Sequence, residues 1–219
     1  MQDVFLQIIF SVAMHKTITL IIFHFFPIFL FAQSSAWGYK GYSGGMFVHT
    51  GYVQSKSFSV YDEKDNEIKT QIKGATFGLG GKMSVYLNTY FRLGGEGYFS
   101  SCQYGATKNS CRIGWGGVHF DGVFPVKKWA PFAGITIGGG NITHFICIEK
   151  PQNNKKAFST VFFKNPLCII NPAIGADFYV SNRISLLFKI DYMFSIYKPE
   201  PSYPQGFRFY FGVHFYHKN

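Results

Sequence analysis

The nine residues FRFYFGVHF, at positions 207–215, decide the fold. Every second residue is large and apolar, and the residues between them are polar, amphipathic or small. Because successive side chains of a β-strand point to opposite faces, this pattern predicts a strand with one apolar face. A soluble sandwich could bury such a face in its core. Where the pattern recurs without a second sheet to cover it, the expected cover is lipid.

The same alternation recurs along the chain and predicts eight strands. The predicted runs are 42–54, 70–86, 90–101, 112–124, 130–144, 167–180, 184–196 and 206–216. The connections between them alternate in length: those at 55–69, 102–111, 145–166 and 197–205 are long, and those at 87–89, 125–129 and 181–183 are tight. Short turns at one end and long loops at the other are typical of outer-membrane barrels. Ile142 falls out of phase in the fifth run, which suggests a β-bulge.

The composition fits a β-protein that faces something other than water. Charged residues make up 15% of the 219 residues and aromatic residues 20%, with 24 glycines. A soluble domain usually has about 25% charged residues. The mean hydropathy is only +0.05, which argues against a bundle of membrane-spanning helices. A barrel gives such an average because its strands alternate apolar and polar residues.

The N-terminal part of the sequence predicts an export signal over residues 1–33. Lys16 precedes an apolar run at 17–32, and small or polar residues follow at 33–36. Cleavage after Gln33 and cleavage after Ala36 both fit, and the true start of the protein could be Met14. The alternative is an uncleaved membrane anchor. We expect the barrel domain to occupy residues 38–219.

These features together resemble the small eight-stranded outer-membrane β-barrels of the OmpA-transmembrane-domain and OmpX-like porin family. The resemblance rests on the export signal, the eight alternating segments, the asymmetry of the connections and the aromatic last strand. It implies an all-β, eight-stranded antiparallel up-and-down transmembrane barrel in the cell outer membrane of a Gram-negative bacterium. It also implies insertion by the barrel-assembly machinery, with an insertion signal on the last strand formed by Phe207, Phe209, Phe211, Val213 and Phe215.

The predicted inward faces of the strands collect four strong bases, four acids and two histidines. An eight-stranded barrel is just wide enough for its interior to be filled by side chains. Charges buried there must pair, because an unpaired buried charge costs several kcal/mol. We therefore expect a closed interior, plugged by salt bridges and without catalysis. The residues of this predicted network are Lys82, Arg92, Glu96, His119, Asp121, Asp177, Lys189, Asp191, Arg208 and His214.

Two other functions remain open at this point. The first is an outer-membrane lipid-modifying enzyme, such as a lipid A deacylase or acyltransferase. A serine-type deacylase needs His, Ser and an acid close together, and no histidine of this sequence begins the His-x-Ser pattern seen on deacylase barrels. The second is a soluble periplasmic lipid-binding barrel, in which the inward face would be apolar and the outward face polar.

Four cysteines flank two of the predicted long loops. Cys102 and Cys111 bracket the second loop, and Cys147 and Cys168 bracket the third. An exported protein permits disulfides, and of the three connectivities we favour 102–111 with 147–168. Free thiols are the alternative. Neither pair has the spacing of a zinc site, so we expect no metal and no cofactor.

The net charge of +10 raises the question of an acidic partner. Export argues against nucleic acid, and we expect outer-membrane lipid or lipopolysaccharide instead, with the protein as a monomer. The predicted third loop is basic, with Lys150, Lys155, Lys156 and Lys164. These four lysines are the predicted contacts with lipopolysaccharide phosphates, and a solvated surface loop is the alternative.

Overall fold

A computed structural model gives the structure of residues 40–61, 67–105, 109–152, 155–196 and 201–218. The predicted signal peptide and the start at Met14 lie outside these described residues. In the part of the chain that is described, no helix has the length and apolarity needed to cross a bilayer.

The described residues form eleven β-strands. Their bounds are β1 Gly41–Gln54, β2 Phe58–Tyr61, β3 Glu67–Thr70, β4 Lys73–Tyr86, β5 Phe91–Tyr104, β6 Asn109–Val123, β7 Trp129–Gln152, β8 Lys155–Tyr179, β9 Ile184–Tyr192, β10 Phe194–Ser195 and β11 Gln205–Lys218. β2 and β3 form a separate hairpin in the first loop. The short β10 pairs with β8, directly after β9. The eight remaining strands confirm the predicted number and order of runs.

These eight strands close into an antiparallel barrel. The sheet runs β8-β7-β6-β5-β4-β1-β11-β9, and β9 pairs again with β8. The phenylalanine-rich β11 closes the wall by pairing with β1, from Gln54↔Gln205 to Gly41↔Lys218. Closure satisfies the backbone hydrogen bonds of the edge strands, which a sheet in lipid requires. The predicted fold class is therefore confirmed.

Two of the predicted long loops are instead extended hairpins. β5 and β6 stay paired up to Tyr104↔Asn109, and β7 and β8 stay paired up to Gln152↔Lys155. The pairing of β6 with β7 ends at Ser110↔Phe145, so the β7–β8 hairpin continues beyond its neighbours. Its residues 157–163 are mostly β-branched or aromatic, a composition that favours continued strand pairing.

The two faces of the wall have opposite character. Phe207, Phe209, Phe211 and Phe215 are exposed on the outside of β11, as the alternation predicts. The predicted bulge at Ile142 is wrong, because β6 and β7 keep one unbroken register from Ser110↔Phe145 to Val123↔Phe132. Ile142 points inward in phase with its strand and is buried.

The buried interior has two regions. The charged band consists of the eight buried acids and bases Lys82, Arg92, Glu96, Asp121, Asp177, Lys189, Asp191 and Arg208. The apolar cap lies toward the long-loop end and consists of Ile72, Cys102, Cys111, Ile113, Ile142, Leu167, Ile169 and Tyr203. An apolar outer face around a charged interior is the reverse of a soluble lipid-binding barrel, so that alternative is wrong.

Candidate functional site in the barrel interior

Strand alternation places all ten predicted interior residues inside the barrel. Each of them is at most 5% exposed. They come from six of the eight barrel strands, β4, β5, β6, β8, β9 and β11, and all reach the same interior space.

The acids and bases of the charged band alternate along one continuous series of contacts. At the turn end, the Arg92 guanidinium donates from Nη1 to Asp177 Oδ2 at 2.6 Å and from Nε to Asp121 Oδ2 at 2.6 Å. Lys82 Nζ then donates to the same Asp121 oxygen at 2.7 Å. Lys82 also lies 3.8 Å from Glu96 Oε2, which carries the series toward the middle of the barrel.

The series continues from Glu96 toward the long-loop end. Lys189 Nζ donates to both Glu96 oxygens at 3.1 and 3.0 Å and lies 3.6 Å from Asp191 Oδ2. Arg208 Nε donates to Asp191 Oδ1 at 3.1 Å. The order is therefore Asp177, Arg92, Asp121, Lys82, Glu96, Lys189, Asp191 and Arg208, in which each acid is followed by a base.

The two predicted histidines lie at the side of this series. His214 Nδ1 is 3.2 Å from Asp177 Oδ1. His119 Nε2 is 3.0 Å from Ser84 Oγ and 3.9 Å from Asp121 Oδ2. Neither ring lies between an acid and a base of the series.

Several neutral residues that contact the charged band were not predicted. Thr136 donates to Glu96 at 2.7 Å and Asn171 donates to Asp191 at 2.7 Å. The Arg92 guanidinium lies 4.3 Å from the centre of the Phe132 ring, and Lys189 Nζ lies 4.2 Å from that of Tyr210. All four occupy inward positions of the same alternation, so the period of two could have identified them.

Ser84, His119 and Asp121 are the three residue types of a serine hydrolase, but their arrangement does not fit one. Ser84 Oγ and Asp121 Oδ2 both approach the same ring nitrogen of His119. In a catalytic triad the acid orients the base through its other nitrogen. Ser84 and His119 are also fully buried, so this group cannot reach a lipid substrate without a change in the barrel wall.

The predicted disulfides are not found, since all four cysteines are free. Cys102 and Cys111 are directly opposite each other in the β5–β6 ladder. The 147–168 pairing is incompatible with the register, because Cys147 lies opposite Thr160 and Cys168 lies opposite Gly139. The two cysteines are thus separated by roughly 27 Å along the hairpin, whereas disulfides join Cα atoms about 4.4–6.8 Å apart.

The predicted loop lysines and insertion signal are separate from the interior. Lys164 is exposed on β8, and the backbone of Lys150, Lys155 and Lys156 lies in the paired tip of the β7–β8 hairpin. The side chains of those three lie outside the described residues.

In the described part of the chain, no group of three or more His, Cys, Asp or Glu residues could hold a metal ion.

A closed eight-stranded barrel with this outer face has the fold of the small outer-membrane β-barrels. No protein-family model matches the sequence, and neither does any curated protein. The structure is similar to Neisserial surface protein A, with a TM-score of 0.52 and 12% identity over 81% of this chain and 98% of that one. It is similar to the outer membrane protein OprG from Pseudomonas aeruginosa, with a TM-score of 0.52 and 10% identity over 84% of this chain and 99% of that one.

Proposed function

We propose that this protein is a non-catalytic barrel of the bacterial outer membrane, closed inside by its charged band and active through the loops that it displays. The observation that carries the proposal is the alternating series from Asp177 to Arg208. Four acids and four bases leave the series without net charge. Each member has an oppositely charged partner within 4 Å, as buried charges require.

This arrangement favours a closed interior and argues against an ion pathway through the barrel. A selective pore lines its wall with charges of one sign that are free to meet the permeating ion. Here the charged groups of opposite walls meet each other, as when Lys189 of β9 reaches Glu96 of β5 at 3.0 Å. The side chains that could attract an ion are therefore already engaged.

Planar-bilayer recording of the refolded protein tests this closure. We expect no stable conductance steps from the wild-type protein. Glu96→Ala combined with Asp191→Ala would shorten two of the side chains that cross the interior and should raise the frequency of openings. Regular conductance steps from the wild-type protein would contradict the closed interior.

Membrane placement is tested by two matched phenylalanines. Phe209 on the barrel wall is 54% exposed and Phe162 on the β7–β8 hairpin is 59% exposed. If both faced water, replacing either one with Lys would change the unfolding free energy by about the same amount. In a bilayer, Phe209→Lys should cost about 2–4 kcal/mol of unfolding free energy, while Phe162→Lys should change it by less than about 0.5 kcal/mol. Urea unfolding in lipid vesicles measures both, and equal losses would contradict the placement.

Cell fractionation and gel mobility give an independent test. An outer-membrane barrel should be found in the membrane fraction, and its unheated form should migrate differently from its boiled form. A mass spectrum of lipid A, from cells with and without the protein, addresses the enzymatic alternative. We expect the two lipid A spectra to be the same.

We further propose that the basic β7–β8 hairpin contacts lipopolysaccharide phosphates. Phe58 of β2 packs against the β7–β8 hairpin, with its ring centre 5.9 Å from that of His144 and 6.4 Å from that of Phe163. Replacing Lys150, Lys155, Lys156 and Lys164 with Gln should weaken lipopolysaccharide association. Gln at Lys56, Lys69 and Lys73 is the control, and unchanged binding and outer-membrane sensitivity in the hairpin variant would end the proposal.

A further inference from the structure

In the described part of the chain, the turn end of the barrel carries basic residues and no Asp or Glu. The turns at 87–90, 124–128 and 180–183 contain Lys127, Lys128 and Arg183, and Lys40 and Lys218 stand at the two ends of the barrel chain. None of these segments contains Asp or Glu. Between residues 68 and 218 the sequence has six acids. Four of them belong to the charged band, and the other two are Glu149 and Glu200.

Three of these lysines line one cavity at the mouth of the barrel. The cavity has a volume of about 490 Å³, and Lys40, Lys127 and Lys128 contribute to its wall together with polar turn residues such as Thr89 and Asn182. Each of the three lysines is exposed. Within the described residues, no carboxylate lies within 4 Å of any of them.

Tyrosines separate this mouth from the charged band. Tyr86, Tyr179 and Tyr216 line the cavity, and the Tyr216 ring lies 5.8 Å from that of Tyr86 and 5.2 Å from that of Tyr179. Behind them, Arg92 Nη1 lies 3.4 Å from the Tyr86 hydroxyl. The nearest acids, Asp121 and Asp177, are therefore engaged with Arg92 on the far side of the tyrosines and do not neutralise the lysines.

Lys127 has a backbone conformation that lysine rarely adopts. The turn is tight, with Val126 N donating to Trp129 O at 2.7 Å and Trp129 N donating to Val126 O at 2.9 Å. Lys127 has a φ of 54°, in the left-handed region where glycine and asparagine are preferred. Residues kept in such a conformation are concentrated at functional sites, and here the strained residue points to a use for its charge.

We propose that this mouth binds a phosphate group, supplied by the headgroup of an anionic phospholipid or by a free phosphate ester. The inference rests on the proposed outer-membrane placement. Three ammonium groups that have no acidic partner among the described residues, next to hydroxyl and amide donors, form a site for a compact anion. Trp129 and Tyr90 are exposed beside the same turns, and such aromatic residues mark the headgroup depth of a membrane protein.

The experiment uses the mature protein refolded in a zwitterionic detergent. Isothermal titration measures binding of short-chain phosphatidylglycerol, short-chain phosphatidylcholine and inorganic phosphate. The variant combines Lys40→Gln, Lys127→Gly and Lys128→Gln, and its glycine relieves the strained turn, so the barrel should stay folded. We expect about a 100-fold loss of phosphatidylglycerol affinity, because each basic residue near an anionic headgroup contributes about fivefold.

The control variant removes three lysines at the opposite end, by Lys56→Gln, Lys69→Gln and Lys73→Gln, and should keep its affinity. Binding of phosphatidylglycerol alone supports a lipid source, and binding of inorganic phosphate supports a free phosphate. Binding of neither, equal binding by the turn-end variant, or equal losses in both variants would overturn the site. Heat-modifiable mobility is read on the same samples, so failure of the site is distinguishable from failure of the barrel.

Discussion

The charged band and the apolar cap fill the same barrel by opposite means. In the band, Arg92 lies 2.6 Å from two carboxylates and is completely buried. In the cap, Ile169 is equally buried and belongs to one apolar cluster with Ile142 and Leu167. The loop residues Ile72 and Tyr203 complete the cap at the long-loop end. Burial in the cap raises the pKa of the Tyr203 hydroxyl well above its ordinary value.

The two regions therefore depend on different interactions. In the band, each charge is tolerated because its partner is present, and removing one partner leaves the other buried without compensation. In the cap, the stability of each residue follows from area buried and from close packing. Losses in the band should thus depend on which partner remains, whereas losses in the cap should depend on the volume removed.

The largest expected effect is that of Arg92→Met, which removes the charge and keeps most of the volume. Among the described residues, the basic group that then remains within 4 Å of Asp177 is His214, at 3.2 Å. We expect a loss of about 3–5 kcal/mol in unfolding free energy, measured by urea titration in lipid vesicles. Adding Asp177→Asn should recover part of the loss, since it removes the uncompensated acid.

Lys73→Met is the matched control, because Lys73 is an exposed cation at the end of β4. It should change the unfolding free energy by less than about 0.5 kcal/mol. If Arg92→Met cost no more than Lys73→Met, or if the added Asp177→Asn deepened the loss, the paired character of the band would be contradicted.

The band could be predicted from the sequence, and the cap could not. A period of two assigns Arg92 and Glu96 to the inward face because phenylalanines and leucines occupy the outward one. At the cap, Ile113 and Ile142 are apolar on the inward face while their neighbours Arg112 and Asn141 are polar on the outward face, so the alternation of polarity is inverted. Ile142 then looks out of phase although its register is unbroken. Periodicity separates the two faces of a strand, but it does not identify the inward face where the polarity of the two faces is inverted.

The extent of the strands was also beyond the sequence pattern. The predicted long loop at 145–166 is instead a hairpin whose pairing continues to Gln152↔Lys155 and includes Asn165 and Pro166. A β-strand tolerates polar residues on a solvated face, and proline where its nitrogen is not needed as a donor. The predicted disulfide between Cys147 and Cys168 assumed that the two cysteines flank a loop. It is wrong because both cysteines lie within the paired hairpin, far apart along its length.

An intermediate effect is expected from Ile169→Ala in the cap. Ile169 is completely buried, so truncation should leave a cavity and cost about 2–4 kcal/mol. Ile169→Val should cost about 0.5–1.5 kcal/mol, giving losses that scale with the volume removed. The same urea titration measures both, and equal losses from the two substitutions would show that the cap is not packed as described.

An effect smaller than that of Ile169→Ala is expected at Gly138, on the boundary between the two regions. Gly138 lies opposite Ile169 of the cap on one side and opposite Gly117 on the other, and Gly117 lies opposite Glu96 of the band. A Cβ atom at Gly138 would come within 2.6 Å of the Gly117 Cα atom, and the wall must shift to accept it. Gly138→Ala should therefore cost about 1–3 kcal/mol.

Gly116 provides the comparison for that boundary, because it lies on the outward face of β6, where a Cβ atom would have its nearest neighbour at 3.6 Å. Gly116→Ala should be neutral or stabilise the barrel by up to about 1 kcal/mol, since alanine has less backbone entropy to lose on folding. If both alanine variants unfolded at the same urea concentration, the close approach of β6 and β7 between band and cap would be disproved. A loss confined to Gly138→Ala would show that the two regions meet at a contact between backbones, where only glycine fits.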